Sequence, residues 1–174
     1  MNYQRQLLVL LLLGFISFQS FAGPQDEATD KAKAEREARI KELDRYWAEV
    51  SKSVREGNFE GYQATCHQDG VLVSGRAQTS YPLTQALARW RSGFNETQSG
   101  KIQAEVRFRF RQRLNDVTTA HETGIFRYST AKASGEKSVT FIHFEALLLK
   151  QDRWRILMEY QKSEATKAEW DQLK

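Results

Sequence analysis

In the stretch FIHFEALLLKQDRWRILMEYQ, residues 141–161, His143 and Glu145 stand two apart within an apolar run. Side chains two apart in a strand share a face. An imidazole and a carboxyl on one face are groups that move protons in acid/base catalysis, and an apolar surrounding raises a carboxyl's pKa toward the range where it can do so. Asp69, in HQDG, supplies a third ionisable group. One reading therefore joins Asp69, at a pocket mouth, with His143 and Glu145 in acid/base work on a small apolar substrate. The other makes the pair structural, either buried and satisfied or bridged across strands to Arg107, Arg109 or Arg127. Segment 138–150 is apolar on both faces. Phe141, Leu147 and Leu149 accompany the His/Glu pair, while Ile142, Phe144, Ala146 and Leu148 occupy the other side. Alternation leaves both readings open.

Other constellations carry less. His67 and Asp69 with His143 and Glu145 make two His-x-acid pairs, but their spacing matches no zinc pattern, and no metal site or cofactor is expected. Asp69 before Gly70 also reads as a turn residue bonding its own backbone. The chain has one cysteine, Cys66, so no intrachain disulfide forms; without a basic neighbour it reads as a buried, unreactive thiol. In RFRFRQR, residues 107–113, alternation sends phenylalanines to one face and arginines to the other, where they cannot stack on those rings. The arginine row therefore reads as a solvated or dimer-facing surface, and no nucleic-acid partner is expected.

The N-terminus MNYQRQLLVLLLLGFISFQSFAG has one basic residue, an apolar run from Leu7 to Phe18, and small residues Ser20 and Ala22, which together read as a secretory signal peptide cut after Ala22. The run is short for a membrane span, so no span is expected after cleavage and the destination is periplasmic or secreted. Cleavage removes one charge, Arg5, from 26 basic and 22 acidic residues. The remaining surplus is too small to imply a polyanionic partner. What is left is long enough to bury one core without staples.

The elements that must position these residues follow from periodicity. Residues 23–36 form a polar, frayed helical segment. Ile40, Leu43, Trp47, Val50 and Val54 then mark one face of a helix that stops at Gly57. A short helix over 59–65, a turn at HQDG and a strand at VLV come next. Ser80 caps a further helix striped by Leu83, Leu87, Trp90 and Phe94 and closed at Gly100. Beyond Gly100 the period drops to 2. Ile102, Val106, Phe108, Phe110 and Leu114 face one way, with Arg107, Arg109, Arg111 and Arg113 opposite. Three more strands follow, over TTAHETGIFRYST, SVTFIHFEALLLK and WRILMEYQ, joined by short turns as antiparallel neighbours. Four long strands are too few for a closed barrel. The tail, 163–174, is helical, with Trp170 as its docking residue. Helices followed by an antiparallel meander define an α+β plan, and the absence of a glycine-rich phosphate loop excludes a nucleotide-binding sheet.

The order of VREGNFEGY, HQDGVLV, AHETGIF and the turn into RWRI resembles the nuclear transport factor 2-like superfamily, in its SnoaL-like and ketosteroid-isomerase-like branch, over residues 37–162. The resemblance implies a cone: a curved antiparallel sheet wrapped around the N-terminal helices, with an apolar pocket inside and pairing through the outer sheet face. Counted back from Trp154, it puts Glu145 where relatives often carry an inward arginine. In that frame His143 and Glu145 point inward, and Ile142, Phe144 and Leu148 form an outer dimer patch. Glu122, Phe126 and Tyr128 share an inward parity. With Trp90, Phe94, Phe108, Met158 and Tyr160 they make the expected lining for a small apolar or amphipathic molecule. The function expected is an exported binder of such a molecule, paired as a homodimer. The alternatives are a SnoaL-like enzyme carrying out proton transfer or dehydration without a cofactor, and a dimeric interaction module.

Overall fold

The structure is a computed structural model that describes residues 24–173, with side chains from residue 29 onward. The expected signal peptide lies outside the described residues. Helix α1 runs unbroken over Pro24–Glu56, so the polar segment continues directly into the amphipathic one. Side chains 29–38 are exposed, and the buried face begins at Leu43 and continues through Tyr46, Trp47, Val50 and Val54. Gly57 ends the helix with φ +65°, and the amides of Gly57 and Asn58 bond the carbonyls of Val54 and Ser53, a Schellman closure. No larger residue fits there, because a Cβ would lie 2.4 Å from the amide nitrogen of Gln98. Asn58 then caps α2, Phe59–Ala64, by accepting from the Gly61 amide.

Strand β1 (Cys66–Ser74) absorbs HQDG, which is a strand irregularity rather than a free turn, and β2 (Thr79–Pro82) folds back on it. Ser80 pairs with Val73 in β2, so α3 (Leu83–Gln98) starts without a side-chain cap. Strands β3 (Ile102–Asn115), β4 (Thr119–Lys132), β5 (Lys137–Lys150) and β6 (Trp154–Glu164) form the antiparallel meander. The sheet order is β2-β1-β6-β5-β4-β3; β1 joins β6 in parallel, and β2 and β3 are free edges. The result is an α+β fold with a six-stranded, curved and unclosed sheet around the helices. The inner layer packs α1 and α3 against Val106, Phe144, Leu148 and Ile156. A fully buried ring or leucine there contributes about 1.5–3 kcal/mol.

Of the irregularities in the sheet's pairing, two decide where the side chains at the site point. In β3 the register shifts between Phe110 and Gln112, leaving Arg111 as an extra residue; in β6 it shifts between Ile156 and Met158, leaving Leu157. A β-bulge of this kind reverses which residues face the core beyond it. Past the first, Arg113 faces inward opposite buried Glu122, while Leu114, expected on the apolar face, is 51% exposed. Gly124 makes the first bulge possible, since a Cβ there would sit 2.1 Å from the Arg109 carbonyl oxygen.

The tail helix α4, Lys167–Gln172, carries a capping box between Thr166 and Glu169 and lies on the outer face of the sheet. Trp170 packs 5.8 Å from the Phe141 ring and under the Arg109 guanidinium at 4.5 Å. Arg109 also donates to the carbonyls of Trp170 and Leu173 at 2.8 and 3.0 Å. Arg109 thus belongs to a docking site for the chain's own tail rather than to a solvated row. Among the described residues no helix is long and apolar enough to cross a membrane.

Candidate functional site

A cavity of about 510 Å³ lies between the three helices and the inner sheet face. Its size is ordinary for a small-molecule pocket. Helix α1 contributes Tyr46, Trp47, Val50 and Val54 because its buried stripe faces the hollow of the sheet. Helix α3 adds Trp90, Gly93 and Phe94, and the sheet adds Phe108, Phe126, Tyr128, Ile142 and Phe144. The rings form one connected cluster: Phe108 lies 4.3 Å from Trp47, 6.3 Å from Phe126 and 5.7 Å from Phe144, centre to centre. Such spacings fit tilted and edge-to-face packing.

Of the residues expected to line the pocket, Trp90, Phe94, Phe108, Phe126 and Tyr128 do so. Met158 and Tyr160 do not. The extra residue Leu157 turns them outward, where Tyr160 lies 5.8 Å from the Lys162 amine and Met158 pairs with Leu147 and Val71. Glu122 points inward but is sealed away from the cavity. It is 0% exposed, accepts from the Trp47 indole at 2.5 Å, and is ion-paired with Arg113, which also reaches Asp44 and stacks on Phe110 at 4.2 Å. The bulge thereby permits the arginine–phenylalanine stacking that strict alternation forbids.

His143, Glu145 and Asp69 are not brought together. The inner face of β5 is Ile142, Phe144, Ala146 and Leu148, so the proposed outer patch is core, and the His/Glu pair faces out. His143 Nε2 meets Glu169 of α4 at 3.2 Å. Glu145 is bonded by Lys162 at 2.6 Å, with His121 at 3.7 Å. The hydrogen bond from Lys162 holds the Glu145 carboxyl below its ordinary range, the reverse of the expected rise. Asp69 sits in the β1 irregularity, 75% exposed and outside the cavity, with its amide bonded to His67 Nδ1 at 3.1 Å. The frame borrowed from relatives fails because a run apolar on both faces holds no parity signal. Tail helix α4 covers the outer face at Phe141 through the Trp170 ring.

Among the described residues the carboxyl on the cavity wall is Glu159, which sequence reasoning missed. Beyond Leu157 the inward residues of β6 are Glu159 and Gln161, opposite Ala146 and Phe144. Gln161 donates to Glu159 Oε1 at 2.6 Å. Burial pushes the Glu159 carboxyl above its ordinary range, and the bond from Gln161 offsets this in part. Around it stand Tyr46, Tyr62 and Cys66. Burial raises both tyrosines well above their ordinary values, and the Cys66 thiol is pushed up to about 12 by burial and then by Glu159. Cys66 therefore stays protonated and unreactive at neutral pH. Tyr46 donates to the Thr65 carbonyl at 3.2 Å; the Tyr62 hydroxyl has no hydrogen-bond partner among the described residues. The trace in the sequence is Ile156-Leu157-Met158, three consecutive apolar residues that break the alternation. Among the described residues no group of His, Cys, Asp or Glu is placed to hold a metal ion.

A bent, unclosed sheet wrapped on helices, with a ring-lined cavity inside, is the nuclear transport factor 2-like fold. Solved structures share it. An NTF-2-like protein of unknown function from Shewanella oneidensis superposes with a TM-score of 0.54 at 17% identity, covering 70% of this chain and 96% of its own. A ketosteroid isomerase-like protein from Erwinia carotovora gives 0.53 at 13% identity, covering 72% and 95%. A protein from Catenulispora acidiphila, solved in complex with S-DNPA, gives 0.54 at 18% identity, covering 70% and 90%. At these identities the likeness is one of fold. No protein-family model matches the sequence, and no curated protein matches it.

Proposed function

We propose that the protein is exported by its N-terminal signal and holds a small apolar or amphipathic molecule inside the cone. The observation that carries this reading is the ring-lined cavity itself, with a few polar groups in its lining. The complex of the Catenulispora acidiphila protein with S-DNPA is a precedent on the same fold. Pairing, which the resemblance implies, has the outer face near Leu147, Leu149, Met158 and Tyr160 as its surface, since α4 covers the neighbouring strands. The test is a cavity block. Gly93 lines the cavity and a Cβ there meets nothing within 4 Å, so Gly93→Phe fills the space without a backbone clash. The fluorescent apolar probe N-phenyl-1-naphthylamine binds the unmodified protein and loses that binding in the variant, with the melting temperature unchanged. Equal probe binding by both forms sinks the reading.

One observation favours a second reading. Glu159 is a carboxyl of raised pKa on the wall of an apolar cavity that Tyr62 also lines, its hydroxyl without a hydrogen-bond partner among the described residues, which is the equipment of cofactor-independent proton transfer. In it Glu159 takes a proton from carbon and Tyr62 donates a hydrogen bond to the oxygen where charge develops. Solvent-deuterium exchange into the acidic carbons of cyclic ketones, followed by NMR with Glu159→Gln as control, decides it. Exchange no faster than in buffer leaves the binder.

A further inference from the structure

The walls of the cavity are nearly uncharged, and its rim is not. Two cationic side chains line it: Arg76, in the turn between β1 and β2, and Arg89, on the exposed side of α3. Arg76 is ion-paired with Glu164 at 2.9 Å. Arg89 has no acidic partner among the described residues; its guanidinium lies 4.8 Å from the centre of the Tyr81 ring. The Arg89 guanidinium makes no hydrogen bond among the described residues, so its N–H donors are open to an oxyanion, which a guanidinium binds with two parallel hydrogen bonds. The acid that lines the cavity, Glu159, lies on β6, where it accepts from Gln161.

Resting on the cavity reading above, we propose that the ligand is an amphipathic anion, with an aromatic or aliphatic body enclosed by Trp90, Phe108 and Phe126 and an oxyanion group held at the rim by Arg89. Orientation follows from the chemistry of the two ends. Phe108 and Phe126 offer no donor to a buried anion and the neutral donors of Trp90 and Tyr62 carry no charge to offset it, whereas Arg89 offers charged donors where water still screens the cost of approach. A cationic ligand would be drawn to Glu159 instead, but burial favours the protonated form of that carboxyl and weakens the attraction. The contact with the Tyr81 ring restricts the Arg89 side chain, so less of its freedom is lost on binding.

The test uses a matched pair of fluorescent probes that differ by one group. 1-Anilinonaphthalene-8-sulfonate carries a sulfonate on the skeleton of N-phenyl-1-naphthylamine, and both are titrated into the purified protein. The expected result is binding of the sulfonate about tenfold more tightly than the neutral probe. In Arg89→Gln that ratio falls to near one with the neutral probe's affinity unchanged, while the outer-face control Arg107→Gln leaves the ratio intact. Equal affinity of the two probes for the unmodified protein, or a ratio that survives Arg89→Gln, overturns the proposal and leaves the cavity reading standing. Failure of both probes to bind overturns the cavity reading and the proposal with it.

Discussion

Among the described residues two carboxyl groups face the inside of this cone, and they are treated in opposite ways. Glu122 sits opposite the β3 bulge, where it receives the Trp47 indole and the Arg113 guanidinium, and Arg113 is held in turn by Asp44. Glu159 sits opposite nothing comparable: it has the amide of Gln161 and otherwise looks onto the cavity. A buried charge with its partners in place is architecture, costly to disturb but chemically idle. A carboxyl on the wall of a cavity with one neutral donor retains capacity to bond something else. The contrast teaches that burial of an acid does not mark a functional site; incomplete pairing beside open space does.

The comparison can be broken most forcefully at Glu122. Truncation in Glu122→Ala leaves Arg113 buried with its main partner gone, and the expected loss is about 3–5 kcal/mol in urea unfolding. Replacing both groups, Glu122→Leu with Arg113→Met, recovers most of that loss, because the cost lies in the orphaned charge rather than in the pair. Gly124→Ala acts one step earlier: with no room for a methyl beside the Arg109 carbonyl, the bulge that aims Arg113 must open. A loss of about 1–3 kcal/mol is expected, with faster amide exchange along β3 and β4.

At Glu159 the sign reverses. Its carboxyl in the folded chain titrates above the ordinary 4.5, so between that value and the raised one the folded state holds a proton that the unfolded chain has released. Stability therefore falls as pH rises through that window. Glu159→Gln removes the slope: its melting temperature exceeds that of the unmodified protein at pH 7, and the difference closes below the ordinary carboxyl range. The smallest effect belongs to the outer face. Lys162 depresses the Glu145 carboxyl, so their pair adds stability above the ordinary value and loses it as pH falls through the depressed one. At 27% and 45% exposure the pair is screened, and Lys162→Ala costs under about 1 kcal/mol at pH 7.

Much of the scaffold is legible along the chain. The stripes of α1 and α3, the stops at Gly57 and Gly100, and the change of period at residue 101 place helices and meander correctly, because each is set by neighbours within one or two turns. Ring positions on α3 and on the strands before any bulge also follow, as Trp90, Phe94, Phe108 and Phe126 illustrate. The ionisable part of the site did not. His143 and Glu145 drew attention through residue type, but their strand is apolar on both faces. Counting from Trp154 and Ile156 by twos puts Met158 and Tyr160 inside and Glu159 outside, because the extra residue Leu157 leaves too faint a mark on the alternation.

What the sequence determined by itself is therefore local: which segments coil, which extend, where each stops, and that the chain divides into helices followed by a sheet. Which side of a strand meets the hollow was decided by the assembled sheet. A single extra residue in β3 or β6 inverts the side chains that follow it up to the next irregularity, and whether that residue is accommodated depends on the partner strand, on Gly124 opposite Phe110 and on β5 beside Leu157. Part of the outer face was settled in the same way, since Phe141 is covered by a helix that arrives later in the chain.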